Sequence, residues 1–207
     1  MSDDGDSLDG GHLIAPEELE DLQNRYGPFL MVEAELAMES RSLRFYRKAF
    51  KNRRGEILFV LRRPNGDLLL HTKHKYPPDL YRIPGGGIDW GEPVPASLRR
   101  EVQEETQFDV ENEHFLGVIR YRFHGVDSEE SEEDVHFVSF VFEIPGVEGE
   151  PVAEDETEGI SGFRWIPVDE LQSVATALKA LPDDKTGGGD WGRFRAIGHD
   201  FVFDQLK

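Results

Sequence analysis

Cysteine is absent from this 207-residue chain. Without a thiol there is no disulfide framework, no thiolate zinc site and no cysteine nucleophile. Long apolar runs are lacking too, since no segment approaches the roughly 18 residues that a membrane-spanning helix needs. The first residues, MSDDGDSLDGG, are acidic and have neither the basic start nor the apolar stretch of a signal peptide. We therefore expect a soluble, cytoplasmic protein without a membrane partner.

Basic residues are scarce relative to acidic ones. The chain has 23 Lys and Arg against 42 Asp and Glu, which gives a formal net charge of −19. Such a surface repels a phosphate polymer, so we expect no nucleic-acid polymer as a partner. A small anionic substrate remains compatible with this charge if a divalent cation screens it. Hydrophobic residues make up 38% of the chain and aromatic residues 11%, which is enough to build a folded core.

Composition and pattern divide the chain into three parts. Residues 1–42 are predicted to form an N-terminal tail and extension, and residues 43–181 the main domain. Residues 182–207 are predicted to form a Gly-rich loop and an aromatic C-terminal tail that packs on this domain. Residues 1–11 contain almost nothing to bury, which indicates a disordered tail. The extension is expected to add a helix and a strand to the domain, or to take part in a homodimer.

Alternation and turn signals predict the secondary structure. Two apolar runs, residues 56–62 and 67–74, flank Asn65-Gly66, which is a hairpin signal. Residues 115–123 alternate like a half-buried strand, and residues 135–144 are almost continuously apolar, like a central strand. Further strands are predicted at 29–36, 43–50 and 163–166, and helices at 16–22, 95–106 and 168–181.

An acidic cluster on the helix predicted at 95–106 is the most informative feature. Glu101, Glu104 and Glu105 are related by i, i+3 and i+4, so their carboxylates share one side of the helix. Like charges at this spacing weaken an isolated helix by a few tenths of a kcal/mol per pair. A hard divalent cation offsets this repulsion, because Mg²⁺ and Mn²⁺ prefer oxygen ligands. Arg100 is expected to pair with Glu92 and thereby fix the loop before the helix.

A glycine-rich segment precedes this helix. Gly85, Gly86 and Gly87 let the backbone approach a metal and a phosphate without a clash from Cβ atoms. Because the segment leads from a strand to a helix N-terminus, it suits a phosphorylated ligand. It is not a P-loop, since no Gly-Lys-Ser/Thr follows, and it is not the Rossmann fingerprint, since the glycines are consecutive.

The segment from Gly86 to Phe108, GGIDWGEPVPASLRREVQEETQF, resembles the Nudix box, G-x5-E-x7-R-E-U-x-E-E-x-G-U, in which U is apolar. The matching positions are Gly86, Glu92, Arg100, Glu101, Val102, Glu104, Glu105 and Phe108. Gln107 stands where the family has a glycine that closes the helix in a left-handed conformation, and glutamine there costs roughly 1 kcal/mol. The flanking elements also fit the family's fold, an α/β/α sandwich with a mixed β-sheet between helices.

The resemblance implies a divalent-metal-dependent pyrophosphohydrolase. Such an enzyme cleaves a nucleoside diphosphate linked to another moiety into a nucleoside monophosphate and a phosphorylated product. By the same resemblance, Glu101, Glu104, Glu105 and the Gly86 carbonyl are the expected ligands of Mg²⁺ or Mn²⁺. The family often recruits one more glutamate from outside the box as general base or extra ligand, and Glu158 is the first candidate for this role.

Substrate contacts are expected from residues around the glycine-rich segment. An aromatic ring beside it could stack on a base, and arginine side chains could bind phosphates. The candidates are Tyr81, Arg82, Arg62, Gly85 and Gly86, followed by Arg63, Arg120 and Arg122. The alternative for Arg120 and Arg122 is pairing with the acidic segment at residues 127–134.

Two other functions remain open from the sequence. One is a non-catalytic nucleotide sensor on the same fold, although a pure binding module has little need for three adjacent carboxylates. The other is a hydrolase of non-nucleotide diphosphates. Specificity in this fold lies in loops outside the box, so the sequence does not name the substrate.

Overall fold

The computed structural model describes residues 13–126, 133–154, 156–184 and 188–207. The predictions for residues 1–11, for most of the acidic segment at 127–134 and for part of the Gly-rich loop lie outside these residues. The helices are α1 (Pro16–Tyr26), α2 (Ser40–Ala49), α3 (Val94–Thr106), α4 (Leu171–Lys179) and α5 (Gly188–Leu206). The strands are β1 (Leu30–Met38), β2 (Arg53–Arg62), β3 (Leu68–Lys73), β4 (Gly85–Asp89), β5 (His114–Gly125), β6 (Val135–Pro145) and β7 (Ile160–Ile166).

The described strands form one seven-stranded sheet in the order β1-β5-β6-β2-β3-β7, with β4 paired to β2 off this path. The pairs β1–β5 and β2–β6 are parallel, and the other pairs are antiparallel. β2 and β3 form the hairpin predicted around Asn65-Gly66, with Arg62 opposite Leu68. The sheet is therefore mixed, as predicted.

Helices cover both faces of the sheet. On the face we call the α3 face, Leu22 of α1 and Leu98 and Val102 of α3 pack on Ile57 and Phe59 of β2. On the opposite face, the α5 face, hydrophobic residues of α2, α4 and α5 pack on the alternate side chains of the same strands. This arrangement confirms the predicted α/β/α sandwich. None of the helices in the described part of the chain has the length and apolar content needed to span a membrane.

The strand predicted at residues 43–50 is wrong, because this segment belongs to α2 and the short 3₁₀ turn after it. Leu43 and Tyr46 are buried against the sheet, and Phe50 is partly buried beside them. Their spacing of three and four residues is that of a helix face, and the exposed positions between them include Arg44 and Lys48. An amphipathic helix buries these three side chains together, which a strand with period two cannot do.

The box helix α3 ends where the family pattern has glycine. Gln107 adopts the left-handed conformation, with φ 61° and ψ 15°, and its N–H donates to the carbonyl of Gln103. The side-chain amide of Gln107 also donates a hydrogen bond to the Gln103 carbonyl, at 2.9 Å. A non-glycine residue thus closes α3, at a cost of roughly 1 kcal/mol that these hydrogen bonds oppose.

The C-terminal segment forms the long helix α5. Phe194, Phe201 and Phe203 are buried in the core on the α5 face. A buried ion pair joins Arg195 to Glu56 of β2 at 2.6 Å. His199 accepts a hydrogen bond from the N–H of Ile83 at 3.0 Å, and its other ring nitrogen lies 2.9 Å from the carbonyl of Arg195. Polar contacts therefore fix α5 to the segment that leads into β4.

We predict that His199 makes stability depend on pH. Burial lowers its pKa from 6.5 to about 4, so the folded protein binds this proton more weakly than the unfolded chain does. The contribution of neutral His199 to the free energy of unfolding is complete above about pH 6.5 and is lost as the pH falls towards about 4. The total loss over this pH range is about 3 kcal/mol.

Denaturant unfolding of the wild type and of His199→Gln tests this prediction. Glutamine can accept the Ile83 N–H but does not titrate. Between about pH 7.5 and about pH 5, the variant should lose about 2 kcal/mol less stability than the wild type. Both proteins retain the other histidines, so their contribution cancels. Equal losses in the two proteins would contradict the assignment.

Candidate active site

The candidate site lies where β4 meets α3. The segment turns after Asp89, where the Glu92 N–H donates to the Asp89 carbonyl at 3.1 Å and Gly91 has a φ of 81°. Pro93 then precedes α3, a suitable residue for a helix start. β4 pairs antiparallel with β2 from Gly85 opposite Leu58 onwards. The glycine-rich strand and the acidic helix are thereby held against each other.

The guanidinium of Arg100 ties the box together. It donates two hydrogen bonds to Glu92, both at 2.9 Å, and one to the carbonyl of Gly87, also at 2.9 Å. Its Nη1 donates to Glu101 at 2.8 Å and to Glu104 at 3.1 Å. Hydrogen bonding from Arg100 lowers the pKa of Glu92 to about 2 despite some burial. The predicted pairing of Arg100 with Glu92 is thus present, and it fixes the loop between β4 and α3.

Glu101 lies directly against the backbone of Gly86. A Cβ atom at residue 86 would overlap the Glu101 carboxylate, so the close approach requires glycine. Burial raises the pKa of Glu101 to about 7, although Arg100 favours the charged form. Glu104, one turn further along α3, is 40% exposed and contacts only Arg100 among the ion pairs of the described residues.

Glu105 is directed into the protein. Its side chain is fully buried, and Oε2 accepts a hydrogen bond from the N–H of Gly85 at 3.1 Å. The Lys73 ammonium lies 2.8 Å from Oε1, and Nδ1 of His71 lies 3.3 Å from Oε2. Burial raises the pKa of Glu105, while the positive charges of Lys73 and Arg82 oppose this rise. Glu105 therefore links the box helix to β3.

Glu158 reaches the same place from outside the box. Its Oε2 lies 2.8 Å from the Lys73 ammonium, which also contacts Glu105. The loop before β7 is held there by a backbone hydrogen bond from the N–H of His74 to the carbonyl of Gly159. Of the glutamates outside the box, the structure thus brings Glu158 to the buried end of the box helix.

The arginine and tyrosine before the glycines occupy structural positions. Arg82 is buried, and its guanidinium donates to the carbonyl of Ile83 at 2.7 Å, to the hydroxyl of Tyr76 at 2.7 Å and to the carbonyl of Gly85 at 3.4 Å. These three hydrogen bonds hold the segment before β4. Tyr81 is partly buried against the core on the α5 face.

The other arginines lie away from the box. Arg62 ends β2 and pairs with Glu143 at 3.0 Å, whereas β4 pairs with the opposite half of β2. Arg63 stacks on Trp165, with its guanidinium 4.0 Å from the ring centroid. Arg120 pairs with Glu33 at 3.1 Å, and Arg122 pairs with Glu35 and Asp134. The structure therefore does not bring these four arginines to the glycine-rich strand, because their positions along β2 and β5 place them elsewhere on the sheet.

The donor chemistry of the box fits a hard divalent cation. Glu101, Glu104 and Glu105 offer only oxygen atoms, and Gly86 leaves the space that the Glu101 carboxylate occupies. Within the described ranges, however, no three acidic or histidine side chains are grouped so as to hold a metal ion. The box carboxylates instead have cationic partners, Arg100 and Lys73. A divalent cation bound here competes with Arg100 and Lys73 for these carboxylates.

Lys73 and His71 are not among the site residues predicted from the sequence. The alternation of β3 places both on the same face as Leu69, which packs in the core on the α3 face. This period-two signal is present in the sequence. The sequence alone does not say which helix covers this face of β3.

Comparison with known proteins finds relatives and solved structures that are similar to this chain. One curated relative, an oxidized purine nucleoside triphosphate hydrolase of Danio rerio, is 29% identical over 123 residues, which are 58% of this chain and 72% of the relative. A MutT Nudix hydrolase of Burkholderia pseudomallei is 24% identical with a TM-score of 0.45 and covers 71% of this chain and 95% of its own. A MutT protein of Bacillus halodurans is 23% identical with a TM-score of 0.46 and covers 57% of this chain and 71% of its own.

The family comparison covers the site itself. The NUDIX domain profile matches residues 52–186, which include β2 to β7, the box helix α3 and Glu158. This is well over half of the chain. The chain therefore belongs to the Nudix family and is a hydrolase acting on pyrophosphate bonds.

Proposed function

We propose that the protein is a Mg²⁺- or Mn²⁺-dependent pyrophosphohydrolase of a small nucleotide. It hydrolyses the phosphoanhydride bond of a nucleoside diphosphate linked to another group and releases a nucleoside monophosphate and a phosphorylated product. The observation that carries this proposal is the contact between the Glu101 carboxylate and the backbone of Gly86, with Arg100 joining Glu101, Glu104 and the Gly87 carbonyl. Oxygen donors are thereby concentrated beside a backbone segment that a phosphate can approach.

Glu101, Glu104, Glu105 and the Gly86 carbonyl are the proposed metal ligands. The bound cation supplies charge screening of the diphosphate, polarisation of the phosphorus–oxygen bond and a lower pKa of the attacking water. Arg100 orients the ligands, because it holds Glu101 and Glu104 on one side and the Gly87 carbonyl on the other. Glu158 is the proposed general base, which takes the proton of the attacking water.

A nucleoside triphosphate is the first substrate to examine. The relative from Danio rerio is named an oxidized purine nucleoside triphosphate hydrolase, and it aligns with 58% of this chain. With a triphosphate, the linked group is a further phosphate, and the products are a monophosphate and inorganic pyrophosphate. The net charge of −19 makes a screening cation the more important for so anionic a substrate.

A substrate panel with product identification by mass spectrometry tests the proposal. The panel contains normal and oxidised purine nucleoside triphosphates, nucleotide sugars, dinucleoside polyphosphates, ADP-ribose and non-nucleotide (isoprenoid and inositol) diphosphates, each with Mg²⁺ and with Mn²⁺. We expect turnover of at least one nucleotide class to a nucleoside monophosphate, abolished by chelation of the metal. Binding of a nucleotide without turnover would instead favour a sensor. Cleavage rates that do not depend on the base, with equal turnover of non-nucleotide diphosphates, would favour a hydrolase of non-nucleotide diphosphates.

A further inference from the structure

The Lys73 ammonium lies between two carboxylates that come from distant parts of the chain. It is 2.8 Å from Oε1 of Glu105 on the box helix and 2.8 Å from Oε2 of Glu158 in the loop before β7. The Lys73 side chain is 9% exposed, that of Glu105 is fully buried, and that of Glu158 is 29% exposed. A nearly buried lysine is uncommon unless it is paired, and here it has two acidic partners.

A β-bulge in β7 lies opposite Lys73. Along β3 the register with β7 is regular from Leu68 opposite Ile166 to Thr72 opposite Gly162, and then shifts so that Lys73 lies opposite Ile160. One residue of β7, Ser161, is therefore extra, as in a β-bulge. Bulges change the direction of nearby side chains, and this one lies beside the loop that carries Glu158.

Lys73 also changes the net charge of the site. The five carboxylates of the site face three cations; the groups are Glu92, Glu101, Glu104, Glu105 and Glu158, with Arg82, Arg100 and Lys73. When all eight groups are ionised, the local charge is −2, which one divalent cation balances. Without Lys73 the same carboxylates carry a greater excess of negative charge, so cations are attracted more strongly.

We propose that Lys73 is a positioning residue that ties Glu158 to Glu105 and limits the affinity of the box for divalent cations. The inference rests on the proposed function, because Glu158 acts there as the general base. In the protein without metal, the ammonium keeps the outer glutamate beside the box helix. Lys73 acts on the reaction through Glu158 and through the charge of the site, and does not need to touch the substrate.

Mn²⁺ titration followed by electron paramagnetic resonance, without substrate, tests the charge. Lys73→Gln keeps a hydrogen-bond donor but removes the positive charge that repels the cation, and it should bind Mn²⁺ about tenfold more tightly than the wild type. Lys73→Arg keeps the charge and should stay within about twofold of the wild type. Lys75→Gln, two residues along and exposed, is the matched control and should also bind like the wild type. Unchanged or weaker Mn²⁺ binding by Lys73→Gln would overturn this part of the proposal.

A double-mutant cycle in kcat tests the positioning. Lys73→Gln should lower kcat at saturating Mn²⁺ by about tenfold and leave KM within about threefold, because substrate binding is not its role. In the background of Glu158→Gln, the same change should have little further effect on kcat, since the group that Lys73 positions is gone. If the two substitutions lower kcat independently, so that their factors multiply in the double variant, the proposal is overturned.

Two further outcomes keep the test decisive. If Lys73→Gln does not fold by circular dichroism, the cycle is repeated with Lys73→Arg, which retains the buried charge but moves the donor atoms; the same comparison with Glu158→Gln then applies. If the wild type binds Mn²⁺ but hydrolyses nothing in the substrate panel, the proposed function fails. The Mn²⁺ affinities of the Lys73 variants still decide the charge effect in that case.

Discussion

Replacing Glu104 with glutamine is expected to lower kcat by about 10²–10³-fold at saturating metal, with little change in stability. Glu104 is 40% exposed, and its ion pair is with Arg100, which retains its hydrogen bonds to Glu92 and Glu101 in the variant. The change removes one negative charge and one oxygen ligand without removing packing. Among the three glutamates proposed as metal ligands, Glu104 is therefore the one whose replacement should change catalysis with the least effect on stability.

Steady-state kinetics and thermal unfolding of the same preparations measure the effect of Glu104→Gln. Glu111→Gln is the matched control, because Glu111 is exposed and lies just beyond the box. The control should keep wild-type kcat and KM, and both variants should unfold within a few degrees of the wild type. If Glu104→Gln retained a third or more of the wild-type activity, Glu104 could not be a metal ligand of the working enzyme.

Alanine substitution of the three consecutive glycines is expected to give three different results. At Gly86 the new Cβ overlaps the carboxylate of Glu101, which is the far end of a flexible side chain. The carboxylate can move away, so the fold should survive. Because the carboxylate then leaves its place beside the backbone, we expect kcat to fall about 100-fold and Mn²⁺ binding to weaken.

Gly85 and Gly87 provide the comparison. A Cβ at residue 85 overlaps the backbone carbonyl oxygen of Ile57, which cannot move without disturbing β2, so Gly85→Ala should destabilise the protein by about 3 kcal/mol or more. A Cβ at residue 87 comes within 3.2 Å of the Arg53 guanidinium, which is exposed and mobile enough to shift. Gly87→Ala should therefore be nearly neutral for both stability and activity.

Thermal unfolding, kcat and Mn²⁺ affinity, measured on all three variants, distinguish these outcomes. Equal losses of activity at residues 86 and 87 would show that the glycine-rich strand needs flexibility in general. That result would remove the reason for assigning a special contact between Gly86 and Glu101. If Gly86→Ala lost as much stability as Gly85→Ala, the assignment of a special contact between Gly86 and Glu101 would also be unsupported.

The local elements of the site follow from the sequence. The predicted helix at 95–106 corresponds to α3, Val94–Thr106, because proline at its start and the spacing of its apolar residues are local signals. The left-handed closure at Gln107 is seen only in the structure, because the sequence has glutamine where the family has glycine. The hairpin around Asn65-Gly66 and the strands β5 and β6 are likewise local patterns. The α/β/α sandwich follows from their order together with the family resemblance. The segment at 43–50 is the exception, because α2 has only ten residues and its buried face is defined by contacts with the sheet.

The placement of the arginines depends on contacts that a sequence does not contain. Arg82 precedes the glycines, where the sequence predicts a phosphate-binding residue, yet its guanidinium donates to the carbonyls of Ile83 and Gly85 and to the hydroxyl of Tyr76. Arg62 follows an apolar strand, but the pairing of β4 with the other half of β2 leaves it at the far end. Register and burial decide these positions, and both are set by the whole sheet.

The sequence by itself determined that three glutamates lie on one side of the box helix, since their spacing spans about 100° around its axis. Only the tertiary structure decided where each carboxylate points: Glu101 to the backbone of β4, Glu104 to solvent and Glu105 to Lys73 in the interior. The physical reason is that helical spacing fixes directions relative to the helix axis alone. Which direction is buried, and which cation lies there, depends on the strands that pack against the helix, here on β3, whose alternation places Lys73 on the side that α3 covers.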